Sequence, residues 1–246
     1  MPESIARTLK VCAQPITIES ASGARPGLLL IQQARHTTFI RRSNSPRLMR
    51  WFWIDRFTEF VRGRRAVAIK SVAMSEEQLD DYSPGFAFMP SSLIIEGMAQ
   101  TAGLLIGEME GFSQRVVLAK IGKAVFNRPV VPGETLRYEA IISDIKADGA
   151  IAQVTGHVGD ELLADVELMF AFLDERFLSG PLFEPVDFLA MLRGFHMYDV
   201  AKTSDGQRVE PPDFYLEAER NAQAAYEPIP SPVSPVAPKA NGAAKH

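Results

Sequence analysis

Cysteine and histidine are scarce in these 246 residues, and each scarcity removes a class of chemistry. A single cysteine, Cys12, excludes an intrachain disulfide. The four histidines, His36, His157, His196 and His246, are scattered without metal-ligand spacing, so a reducing, metal-free setting is expected. A long apolar run is also missing. The most apolar region, Leu93 to Ile106, is interrupted by Glu96, Gln100 and Thr101, short of the roughly 18 residues a membrane span needs. The segment Gly27 to Ile31 is too short and too deep in the chain for the core of a signal peptide, so a cytoplasmic location is expected. The net charge of −4 supplies no positive field for nucleic acid or anionic lipid. What is present, a 46% hydrophobic content, suffices for one main domain with one core.

The chain changes character along its length. Residues 1–48 carry seven Lys or Arg against Glu3 and Glu19 and lack a sustained hydrophobic period, which leaves −9 on the remainder. This basic leader is expected to be either a poorly ordered arm or a mis-assigned start, with Met49 as the true first residue. Residues 49–175 form the body, 176–200 a helical extension and 201–246 a tail. From Pro211 onward the tail has seven prolines and few large aliphatics, a composition that predicts disorder.

Within the body the pattern is mostly β. Trp53 to Val61 and Arg65 to Val72 read as a hairpin around Arg62-Gly63-Arg64. Further strands are expected over Val116 to Phe126, Leu136 to Ala147, Ala150 to Val158 and Leu162 to Leu173, the middle two joined at Asp148-Gly149. Between them, Pro90 to Met109 reads as a helix of roughly 20 residues, capped by Ser91 or Ser92 and apolar nearly all round. Such a helix has to be wrapped. The expected architecture is therefore α+β, a curled antiparallel sheet of about six strands around one long central helix. A short amphipathic helix over Pro185 to Met197 packs outside it.

Glu96 is the focus of any chemistry, because it is the one side chain charged at neutral pH between Asp81 and Glu108. Burial on that helix would raise its pKa and make it a proton donor or a tuned base. The structural alternative is a carboxylate satisfied by Gln100 at i+4. Ahead of the helix, Tyr82 to Pro90 (YSPGFAFMP) forms a constrained loop, and the free N–H groups of Ser91 and Ser92 would face a thioester carbonyl gaining negative charge. The alternative is an ordinary proline-bounded helix start.

The segment Tyr82 to Gln100, YSPGFAFMPSSLIIEGMAQ, resembles the FabZ/FabA dehydratase signature, where His-Phe-Pro-Gly-His-Pro leads into Met-Pro-Gly-x-Leu and an acid on the central helix. Ile54-Asp55-Arg56 with Gly63 and Ala66 to Lys70 resembles the family's first hairpin, and Ala119 to Gly133 its strand and Pro-Val-x-Pro-Gly turn. The resemblance implies a hot-dog fold and a cofactor-free homodimer, with a trimer of dimers left open. The implied reaction removes water from a (3R)-hydroxyacyl chain on acyl carrier protein, with catalytic groups from opposite subunits. It places the acid on Glu96 and the helix glutamine on Gln100. The backbone donor falls on Ser91, and Ser92, Gly85, Phe86 and Phe88 complete the acyl site. Lys123 and Arg128 fall at the tunnel mouth, where they either receive the carrier protein or are solvated strand-end charges.

One departure stands out: the family's catalytic histidine falls on Tyr82, and its second histidine on Phe86. A phenol with a pKa near about 10 is a poor base at neutral pH. Tyr82 either donates a hydrogen bond while Glu96 takes the α-proton, or walls a site that only binds acyl chains. Three functions follow: a hydroxyacyl-thioester dehydratase, a hot-dog thioesterase, or a non-catalytic acyl-binding partner subunit. Asp55-Arg56 reads as a structural or surface pair rather than a site.

Overall fold

The computed structural model describes residues 16–19, 51–82, 85–173 and 183–224. In chain order its elements are β1 (Ile16–Glu19), β2 (Arg56–Val61), β3 (Arg65–Ser71), α1 (Glu77–Tyr82), α2 (Ser91–Glu108), β4 (Arg115–Phe126), β5 (Thr135–Lys146), β6 (Gly149–Val158), β7 (Glu161–Leu173), α3 (Pro185–Gly194), α4 (Met197–Val200), β8 (Ala201–Lys202) and α5 (Asp213–Ala224). The β2–β3 hairpin forms where the sequence indicates, with Gly63 at φ +66° and the Arg64 N–H donating to the Val61 carbonyl at 3.0 Å. Phe57 and Phe60 are three apart, which a regular strand would place on opposite faces. A bulge between Phe57 and Glu59 resets the phase, and both rings enter the core.

The sheet order is β1-β4-β7-β6-β5-β3-β2-β8. Its six long strands are all antiparallel neighbours, and β1 and β8 add short pieces at the two edges. α2 packs against β3 through β7, with Ile94, Ile95, Met98, Ala99, Ala102, Leu105 and Ile106 buried. Small residues make the wrap possible. Ala150, Ala152, Val154 and Gly156 point inward from β6, and a Cβ on Gly156 would lie 2.9 Å from the Met98 methyl. A Cβ on Gly97 would lie 2.6 Å from the Trp53 carbonyl oxygen and 2.7 Å from the Tyr138 ring, so the helix, β5 and the entry segment meet through that missing side chain.

Several expectations are corrected. The cap of α2 is Pro90, without a side-chain cap hydrogen bond, rather than Ser91 or Ser92. The sheet has eight strands, because Ile16-Thr17-Ile18, β-branched and strand-prone, pairs with β4 at Ala124 to Phe126. Pro185 to Met197 is not one helix: α3 ends at Gly194, and His196 at φ 54° turns the chain into α4. The tail from 201 is ordered as far as Ala224. β8 pairs in parallel with β2, and α5 anchors Tyr215, 8% exposed, against Phe112 and Phe188. Average composition masked these few aromatic anchors. The rest of the leader, residues 174–182 and residues 225–246 lie outside the described residues.

Candidate functional site

α2 is wrapped on all sides but one. The partly exposed residues Leu93, Glu96, Gln100, Gly103 and Leu104 recur every three to four positions and so form one stripe along the helix. Glu96 therefore is not buried in the single chain, contrary to expectation, because the sheet's own curl leaves this stripe uncovered. Its carboxylate oxygen Oε1 accepts from Gln100 Nε2 at 3.1 Å. The same nitrogen donates to the Trp51 carbonyl at 2.9 Å, and Gln100 Oε1 accepts the Trp53 N–H at 2.9 Å. This set fixes the amide's orientation, since only its oxygen can accept from Trp53, and it uses both amide hydrogens. Gln100 thus ties the acid to the strand-entry segment, and the i+4 bond coexists with an accessible carboxylate.

The helix N-terminus lies one turn away. Met89 is buried, and its N–H donates to the Val130 carbonyl at 2.8 Å, which pins the incoming loop to the turn after β4. The N–H groups of Leu93 and Ile94 both reach back to Pro90 O, at 2.9 and 3.2 Å. Those of Ser91 and Ser92 precede any intrahelical acceptor and remain available to a ligand at the positive end of the helix. Gly85 takes φ +86°, and the Phe86 and Phe88 rings lie 6.0 Å apart at 43°, both partly exposed. Tyr82 closes α1, but its side chain and residues 83–84 lie outside the described residues.

The base of α1 is anchored by a polar cluster that sequence reading did not find. The Lys70 ammonium, on a residue 8% exposed, donates to Glu76 at 2.6 Å and to the Ser71 carbonyl at 2.7 Å. Glu76 also accepts from Gln78 at 2.6 Å and from the Ala73 N–H at 3.2 Å, while Asp55 accepts the Ser71 N–H at 2.7 Å. Asp55 is thus a structural group, as expected.

The sequence model of the FabA-like domain family matches residues 46–167. The 3-hydroxyacyl-(acyl-carrier-protein) dehydratase FabZ of Desulforamulus reducens is 40% identical over 119 residues, 48% of this chain and 84% of that protein. This chain belongs to the FabZ family. The FabZ of Symbiobacterium thermophilum is 38% identical over 49% of this chain and 86% of its own length. Conserved protein PA5202 from Pseudomonas aeruginosa superposes with a TM-score of 0.41 at 22% identity, over 48% of this chain and 87% of that one. The curled sheet around α2 is the hot-dog fold of this FabZ-like chain, and α3 to α5 lie beyond the matched residues.

The two candidate docking cations differ. Arg128 lies 3.0 Å from both Glu134 and Glu161 and donates to the Pro129 carbonyl at 2.8 Å, a lock on the turn between β4 and β5. Lys123 is exposed, opposite Glu19 on β1 and Glu167 on β7. α2 carries a second acid in its last turn. Glu108 is fully buried and bridges to Arg62 Nε at 2.8 Å and Nη2 at 2.5 Å. Burial, then the Glu108 charge, push the neighbouring Tyr198 phenol well above its ordinary value. The signal for this pair is an acid in the last turn, where the helix dipole disfavours it and a cation is needed. Among the described residues, no three His, Cys, Asp or Glu side chains gather as a metal site, and no helix is long and apolar enough to cross a membrane.

Proposed function

We propose that this FabZ-family chain dehydrates (3R)-hydroxyacyl thioesters carried on acyl carrier protein. The observation that carries the reading is Glu96, the lone acid on the uncovered stripe of a mostly apolar helix, held by Gln100 within about a turn of the backbone donors at the helix start. In the reaction the C2–H and C3–O bonds break, C2=C3 forms, and the proton and hydroxyl leave as water. No net redox change occurs, so no redox cofactor is required.

Glu96 takes the C2 proton. The thioester oxygen gains charge as it leaves, and the N–H groups of Ser91 and Ser92 stabilise that charge. Gly85, Phe86 and Phe88 shape the approach, while Gln100 positions Glu96. Tyr82, from the opposite subunit of a homodimer whose partner covers the bare stripe of α2, hydrogen-bonds the C3 hydroxyl while the proton taken by Glu96 passes to that oxygen, which leaves as water. Lys123 receives the acidic carrier protein, and Arg128 keeps its turn in shape beside it. A cytoplasmic setting fits this substrate.

The test is hydration of an enoyl thioester, the reverse reaction. Wild-type protein turns over, Glu96→Gln loses about 10² to 10⁴ of the rate, and Tyr82→His raises it, because imidazole titrates near neutral pH. A wild type that releases free thiol from a saturated acyl thioester is a thioesterase. One that binds acyl thioesters without turnover is a partner subunit. The phenol in place of imidazole at position 82 is what favours either alternative.

A further inference from the structure

We propose that the indole of Trp51 is the surface that receives the acyl chain beyond the reacting carbons, and so sets the chain-length preference; this rests on the dehydratase reading above. Trp51 is 58% exposed, although Trp is among the side chains most favoured by burial. It stands edge-on against Trp53, centroids 5.3 Å apart at 81°, and Trp53 is itself only 6% exposed. The exposed ring is thus braced by a buried one.

Its backbone is held as firmly as the acid. Gln100 Nε2 donates to both the Trp51 carbonyl and Glu96 Oε1, so the two acceptors sit on a single nitrogen. Gln100 Oε1 meanwhile fixes the Trp53 N–H, so the whole Trp51 to Trp53 segment is indexed to the carboxylate. A substrate whose C2 lies against Glu96 continues away from it as methylene groups. The exposed Trp51 ring is a large apolar surface tied to that carboxylate through Gln100. A two-torsion aromatic already held in place loses little entropy when methylenes cover it. Short chains end before reaching it.

The chain contains two tryptophans, both in this segment, so its tryptophan fluorescence reports on this place alone. The experiment compares wild type, Trp51→Ala and Trp51→Phe by two readouts. The first is hydration of enoyl thioesters of four and of ten or more carbons. The second is tryptophan emission during titration with a saturated decanoyl thioester, which has no β-hydroxyl and cannot be dehydrated.

Trp51→Ala should raise KM for the long substrate about tenfold and change the four-carbon one less than about twofold, with Trp51→Phe between. The saturable emission change of wild type should vanish in Trp51→Ala. An unchanged chain-length profile with normal four-carbon turnover overturns the inference and leaves the dehydratase reading intact. Loss of the homodimer in Trp51→Ala, seen by sedimentation, also overturns it, by showing the ring to be a subunit contact. A wild type without turnover that still shows the saturable emission change, lost in Trp51→Ala, ends the dehydratase reading and upholds the acyl surface.

Discussion

The two glutamates of α2, about three turns apart, sit in opposite surroundings. Glu108 has no exposed surface, and both its oxygens are bound to Arg62, so its charge is fully committed. Glu96 is partly exposed on the open stripe, and its Oε1 takes a bond from a neutral amide. Burial alone would have nominated Glu108. A carboxylate able to move protons needs an unfinished hydrogen-bond shell and a path to substrate, whereas a buried bidentate pair offers neither.

This contrast can be broken at either end. Glu108→Ala should cost the most stability, about 3 kcal/mol in urea unfolding, because it removes two charge-assisted bonds and leaves a void. The partly exposed Arg62 can turn to solvent, which keeps the loss below that of a wholly buried pair. Glu96→Gln should change stability by less than about 0.5 kcal/mol. Equal losses for the two substitutions would erase the distinction. Gly97→Ala, next to Glu96, should cost about 2 kcal/mol, since its methyl would meet the Trp53 carbonyl and the Tyr138 ring. Gln100→Leu should cost about 1 kcal/mol and lower kcat, because the Trp53 N–H and Glu96 lose their shared partner.

The smallest effect is one of pH. Arg65, joined by Arg137, holds the Glu139 carboxyl down to about 2. Its contribution is complete above the unfolded value of about 4.3 and fades as pH falls through about 2. Screening limits it to less than about 1 kcal/mol. Glu139→Gln should flatten the acid side of the stability curve over that window, and an unchanged slope would show the pair to be energetically idle.

Much of this was legible locally. The strands β2 to β7 and α2 follow from alternation, from apolar content without a period, and from Gly and Pro at the joints. The motif from Tyr82 to Gln100 pointed to the acid, its glutamine and the helix N-terminus. What escaped reading depends on distant partners. Glu108 needs Arg62, forty-six residues earlier, to be a buried ion rather than a solvated helix end. Lys70 reads as a strand-surface cation until Glu76 folds over it. β1 and β8 exist because neighbouring edges accept them, and α5 because Phe112 and Phe188 are already there to receive Tyr215. The exposure of Glu96 depends on which face the sheet leaves bare, and no window of residues states that.

The central claim is that Glu96, not Glu108, is the proton-transferring group. Hydration of a medium-chain enoyl thioester should be measured for wild type, Glu96→Gln and Glu108→Gln at a temperature where all three are folded. The account predicts that Glu96→Gln loses at least about 10² in kcat while Glu108→Gln keeps most of the activity of its folded fraction. Wild-type turnover retained by Glu96→Gln would contradict it.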